Sequence, residues 1–221
     1  MQKNLYKNSY DLLQNDLKNK ILLLDGAMGT MIQQENLTAD DFGGEKYEGC
    51  NDYLVLQRPD VIKNIHKKYL EAGSDIIETN SFGALDIVLK DYDLEDKAFE
   101  MNKAAAELVN EAIAEYRSEH PEVTRNLYVA GALGPSNKSI SVTGGVTFEE
   151  LIHTYYTAVS GLMAGGVDLI LFETIQDTRN LKAAYLGLKK AMEENYTVPL
   201  MLSFTIESTG TTLAGQTADA F

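Results

Sequence analysis

The sequence predicts an α/β fold on a parallel sheet: a (β/α)8 TIM barrel, incomplete here, with about the first five βα units present. Three observations predict it. Short aliphatic runs alternate strictly with helical patterns, as parallel strands joined by right-handed crossovers require. The runs are nearly continuous in apolar residues, which suits strands covered on both faces. Two segments also echo each other. Ala72-Gly73-Ser74-Asp75-Ile76-Ile77-Glu78-Thr79 and Gly165-Gly166-Val167-Asp168 through Phe172-Glu173-Thr174 share a helix-ending glycine, an aspartate, an apolar run and Glu-Thr, as repeated βα units should. A doubly wound sheet competes with this reading, but no Gly-x-Gly-x-x-Gly turn follows a strand.

In chain order, Leu5, Leu12, Leu13 and Leu17 make a helical stripe, so residues 1–20 are expected to form a lead-in helix packed under the first strand. The barrel is expected over residues 21–221, truncated at its carboxyl end. Its first strand is Ile21 to Leu24, stopping at Asp25 and Gly26. Gln33 to Arg58 reads as a long polar loop, more than a simple connection needs. Cys50 within it reads as incidental. Pro59 at a first turn and Gly73 at a C-terminus bound an amphipathic helix, on which His66 has no second ligand at i+4 and reads as a packing or solvated residue. A second strand ends at Glu78-Thr79-Asn80-Ser81, and a long helix runs from about Asp93 to Glu119, stopped by Pro121. Leu127 to Leu133 is the third strand. Thr147 and Glu150 form a capping box for the next helix. Val167 to Thr174 is the fourth strand, Asp177 caps the helix after it, and Pro199 to Ile206 is the fifth.

With 19 basic against 33 acidic residues and a net charge of -14, nucleic acid and anionic membrane surfaces are excluded as partners, because both need clustered Lys and Arg. A single cysteine allows neither a disulfide framework nor a cysteine metal cage within the chain. No apolar segment reaches the roughly 20 residues that span a bilayer, and the first twenty residues lack the apolar core of a signal peptide. A cytoplasmic location is expected.

Asp25 ends a strand where ligands bind in α/β folds. Gly26 and Gly29 let the backbone approach a small molecule and leave the amides of Gly26 and Ala27 to donate to a carboxylate. An ordinary strand-to-loop turn accounts for the same stretch equally well.

Five stretches, Asp25-Gly26-Ala27-Met28-Gly29-Thr30-Met31-Ile32-Gln33, Ile76 to Phe82, Val129-Ala130-Gly131 with Leu133 to Asn137, Leu169-Ile170 with Phe172-Glu173-Thr174, and Thr211 to Thr217, together resemble the homocysteine S-methyltransferase domain. Within that family they are nearest the amino-terminal module of cobalamin-dependent methionine synthases. The resemblance covers about Leu22 to Phe221. It implies a methyltransferase that converts homocysteine to methionine, with zinc held by three cysteines and homocysteine bound as its thiolate. The methyl group would come from methylcobalamin on another module, recharged from methyltetrahydrofolate on a further one. A betaine- or S-methylmethionine-dependent homocysteine methyltransferase, or a non-catalytic amino-acid-binding barrel, are the alternatives. The family's zinc cysteines fall on strands later than the fifth, so no metal ligand and no catalytic residue is expected in this chain. The resemblance implies that Asp25, Gly26, Ala27 and Glu173 hold the two charged ends of homocysteine. A zwitterion needs an acid near its ammonium and amide donors near its carboxylate. Asn80 and Ser81 are expected as neutral donors on the wall, although they would equally serve to tie loops together.

Overall fold

The computed structural model describes residues 7–220. In chain order it holds α1 (Lys7–Asn19), α2 (Met28–Gln34), α3 (Leu54–Gln57), α4 (Pro59–Ala72), β1 (Ile76–Glu78), α5 (Asp86–Leu89), α6 (Ala98–Glu119), β2 (Tyr128–Leu133), α7 (Phe148–Gly165), β3 (Leu169–Ile175), α8 (Thr178–Glu194) and β4 (Leu200–Phe204). The sheet is parallel throughout and its order is β1-β2-β3-β4. Leu24 joins it outside β1 as an isolated parallel bridge to Ile76. The result is an open arc in chain order, an α/β fold consistent with an incomplete barrel.

Alternation along each strand sorts the two faces. Ile77, Val129 and Ile170 pack outward, with Val109, Val159, Leu162 and Leu188 from the surrounding helices. Ile76, Tyr128, Ala130 and Leu169 point the other way and meet Leu13 of α1. The helices pack closely because glycines face their neighbours' backbones: a Cβ at Gly187 of α8 would come within 2.8 Å of the Ile152 carbonyl of α7.

The echoed segments have a structural cause. Gly73 and Gly166 take left-handed φ of 105° and 91° at helix C-caps, which only glycine adopts cheaply. The aspartate two residues on then reaches the preceding strand: Asp75 accepts the Leu23 amide at 3.1 Å and Asp168 the Val129 amide at 2.9 Å. Each unit is thereby registered on the one before it.

Three expectations need correction. The first strand is reduced to the Leu24 bridge, and Ile21, Leu23 and Leu24 are exposed rather than covered on both faces. Pairing stops because the next donor on β1, the Glu78 amide, bonds the Asp25 side chain at 3.1 Å instead of a backbone carbonyl. Residues 33–58 are no polar loop but helical turns that bury Phe42, Cys50, Leu54 and Val55 in a second core with α4 and α6. Of the α1 stripe only Leu13 is buried: Leu12 and Leu17 are exposed, and Leu5 lies outside the described residues. The face of α1 that packs is mixed, with Ser9 donating to Asp168 at 2.8 Å and Asp16 accepting the Tyr128 hydroxyl at 2.8 Å. His66, by contrast, is the packing residue of the two readings given for it: it is fully buried on α4, and burial pushes its imidazole down to about 3.

Candidate functional site

The Asp25 backbone amide still pairs with the Ile76 carbonyl at 3.0 Å, while its carboxylate takes the Glu78 amide. A side chain has replaced the main chain in the ladder. That substitution fixes Asp25 at the carboxyl end of the sheet and frees Gly26 and Ala27 to turn away from it. Tyr69 of α4 then holds this turn, its hydroxyl donating to the Ala27 carbonyl at 3.0 Å. A Cβ at Gly26 would stand 3.3 Å from the Tyr69 ring, so the close approach favours glycine.

Glu173 is placed by a different device. Phe172 pairs with Leu202 and Ile175 with Phe204, so two residues of β3 face one of β4. Thr174, in this bulge, has φ 56°, a conformation unfavourable for a β-branched residue. Its amide donates to the Ser203 hydroxyl at 3.2 Å. Bulges beside sites re-aim side chains, and here Glu173 is turned into the same opening as Asp25.

Between them lies a cavity of about 460 Å³, lined by the turn from Asp25 to Gly29, by Asn51 and Asp52, by Glu78 to Asn80 with Phe82, and by Glu173. Burial pushes the Asp25 carboxyl up to about 7; the Glu78 amide opposes this and the negative charge of Glu173 adds to it. Glu78 is pushed up to about 8 by burial and then by Glu173 and Asp25. Burial also raises Glu173, and lifts Asp52 to about 6 against the Gly83 amide that it accepts at 3.0 Å. None of the lining residues is Lys, Arg or His. Four acids without a cation attract a ligand that brings a positive charge.

Of the residues expected from sequence, Asp25, Gly26, Ala27, Asn80 and Glu173 meet at this cavity. Asn80 lies at its wall with its amide group donating to the Asn51 carbonyl at 2.8 Å. Ser81 does not reach it. Its hydroxyl is buried, donates to the Ala132 carbonyl at 2.8 Å and lies 2.6 Å from that of Thr79, so it ties β1 to β2 instead. Sequence reasoning left the role of Glu78 open and missed Asp52, Met28 and Phe82. The Glu-Thr echo already pointed to Glu78, since the matching glutamate was Glu173.

The pattern that defines the homocysteine S-methyltransferase family is matched over residues 22–221. The chain belongs to the homocysteine S-methyltransferase family. Its fold is similar to that of the homocysteine methyltransferase MmuM from Escherichia coli. The oxidized form aligns with a TM-score of 0.74 at 24% identity, covering 92% of this chain and 68% of that one. The metallated form gives 0.75 at 23%, covering 92% and 70%.

The three-cysteine zinc cage that the resemblance implies cannot be built from the one cysteine of this sequence. Cys50, its one cysteine, is buried in the second core, where burial and then the Asp52 charge push its thiol up to about 11. Among the described residues no three of His, Cys, Asp and Glu are grouped to hold a metal. What the cavity can do with its own groups is hold a cationic group among carboxyls.

Proposed function

We propose that this chain is the homocysteine-binding part of a methionine synthase, the barrel spanning residues 21–221 behind a lead-in helix of residues 1–20. The cavity supports this reading because it pairs acids with backbone donors and contains no basic side chain. Asp25 and Glu173 receive the ammonium of homocysteine, and the amides of Gly26 and Ala27 receive its carboxylate. Asn80 closes the wall, and Met28 and Phe82 give the thiol-bearing arm an apolar surface that excludes water. Zinc, on ligands outside this chain, would supply the thiolate, and methylcobalamin on another module, recharged from 5-methyltetrahydrofolate, would supply the methyl group. The stretches Met28 to Gln33 and Gly215-Gln216-Thr217 resemble the cobalamin type. The protein acts in the cytoplasm; among the described residues no helix is long and apolar enough to cross a membrane.

The second reading is a homocysteine methyltransferase drawing on S-methylmethionine or betaine, on the same barrel fold. Methionine formation from L-homocysteine, measured with each donor in turn on the parent protein, separates the two. The proposal expects product with methylcobalamin alone. Product with S-methylmethionine or betaine and none with methylcobalamin would overturn it.

A further inference from the structure

The cavity holds more acid than a zwitterion can neutralise. Asp25, Asp52, Glu78 and Glu173 line it, and one amino acid brings one ammonium along with its own carboxylate. Asp52 is occupied by the Gly83 amide. Asp25 has both oxygens within 3.1 Å of the Glu78 amide, a bond that favours its ionised form. The Glu78 carboxyl has no such donor among the described residues, and it stands against two other acids, one ending the Leu24 bridge and one in the bulge of β3. Of the pair that shares a peptide amide, Asp25 is the more readily ionised and Glu78 the more readily protonated.

We propose that Glu78 is a further substrate-binding residue which acts as the neutral acid, presenting an O–H donor to the bound amino acid while Asp25 and Glu173 carry the charge that meets its ammonium. This rests on the amino-acid reading of the cavity given above. A third ionised carboxylate would repel the ligand's own carboxylate. The neutral acid removes that repulsion and adds a donor in a cavity otherwise short of side-chain donors. The titratable groups facing Glu78 are Asp25 on the turn, Glu173 on β3 and Tyr69 on α4, whose phenol is raised by burial and then by Asp25 and Glu78. The acids interact and titrate as a unit, and burial places that unit near neutrality, with Glu78 at about 8.

The sign follows. Binding needs Glu78 protonated and Asp25 ionised, so affinity is greatest between their titrations, at about 7 and about 8, and falls as pH rises through that of Glu78, with uptake of a proton on binding. The test is calorimetric titration with L-methionine, whose side chain does not ionise, from about pH 6 to about pH 9 in two buffers of different ionisation heat. The wild-type chain is expected to lose up to about tenfold in affinity per pH unit above the titration and to take up protons there. The Glu78→Gln variant, a permanent neutral isostere, is expected to bind within about threefold of wild type near neutral pH and to lose both effects over the range below the titration of the ligand's own α-ammonium. Wild-type binding without proton uptake overturns the inference even if the variant fails to fold. A Gln variant weakened tenfold or more near neutral pH also overturns it, by showing that the charge was required. If the wild-type chain binds no L-methionine at any pH, the amino-acid reading fails and takes the inference with it.

Discussion

Glu173 is the residue on which the two accounts of the strand-end acids part. As a ligand for an ammonium, its charge contributes a hydrogen bond worth about 1.5 to 3 kcal/mol. As a scaffold residue, it would hold neighbouring amides. The structure gives its carboxyl no intrachain donor among the described residues: burial alone raises its pKa. Glu173→Gln is therefore expected to leave the melting temperature within about 2 °C of wild type while weakening L-homocysteine by about 10- to 100-fold. Thermal melts and titration calorimetry on the same samples check this. A lowered melting temperature with unchanged affinity would make Glu173 structural. Asp25 could not be tested so cleanly, because it also stands in for the main chain against Glu78.

At the scale of elements, α1 shows where sequence patterns lose their grip. A leucine stripe suggested an apolar contact, yet the helix docks through Ser9, Leu13 and Asp16 beneath the strands. Asp16 accepts the Asn126 side chain at 3.0 Å and the buried Tyr128 hydroxyl at 2.8 Å, which hold its carboxyl below the usual range despite burial. Asp16→Ala would strand that hydroxyl at a cost of about 1 to 3 kcal/mol, lowering the melting temperature by roughly 3 to 10 °C. Differential scanning calorimetry reads it. Because α1 packs at the strands' opposite end, ligand affinity should stay unchanged. Elements with regular periods were legible: the helices starting at Pro59 and Thr147 begin where their caps predicted. The turns between residues 33 and 58 were not. Phe42 at the end of one 3-10 segment and Cys50 just before another are buried without a repeating spacing, so no period betrays them. Of the two readings of Ser81, wall donor and tie between segments, the structure shows the tie: β1 ends at Glu78, and beyond it the hydroxyl turns to the Ala132 carbonyl.

For the whole molecule, the parallel order was legible because alternation and chain-order neighbours leave few choices, and the two Glu-Thr strand ends marked the cavity. An incomplete barrel of about five units also implies an open arc, and the structure shows one; which residues its edges expose was not legible. Leu202 and Phe204 of β4 and the Leu23-Leu24 edge are exposed, because edge exposure depends on what lies beside a strand and not on its own residues. The central claim is that the acidic end of this arc recognises an amino acid through its ammonium. Titration of the chain with L-homocysteine and with 4-mercaptobutanoate, which keeps the thiol and the carboxylate but lacks the ammonium, tests it most directly. L-homocysteine is expected to bind at least about 100-fold more tightly. Equal affinity for the two ligands, or tighter binding of the analogue without an ammonium, would contradict the account.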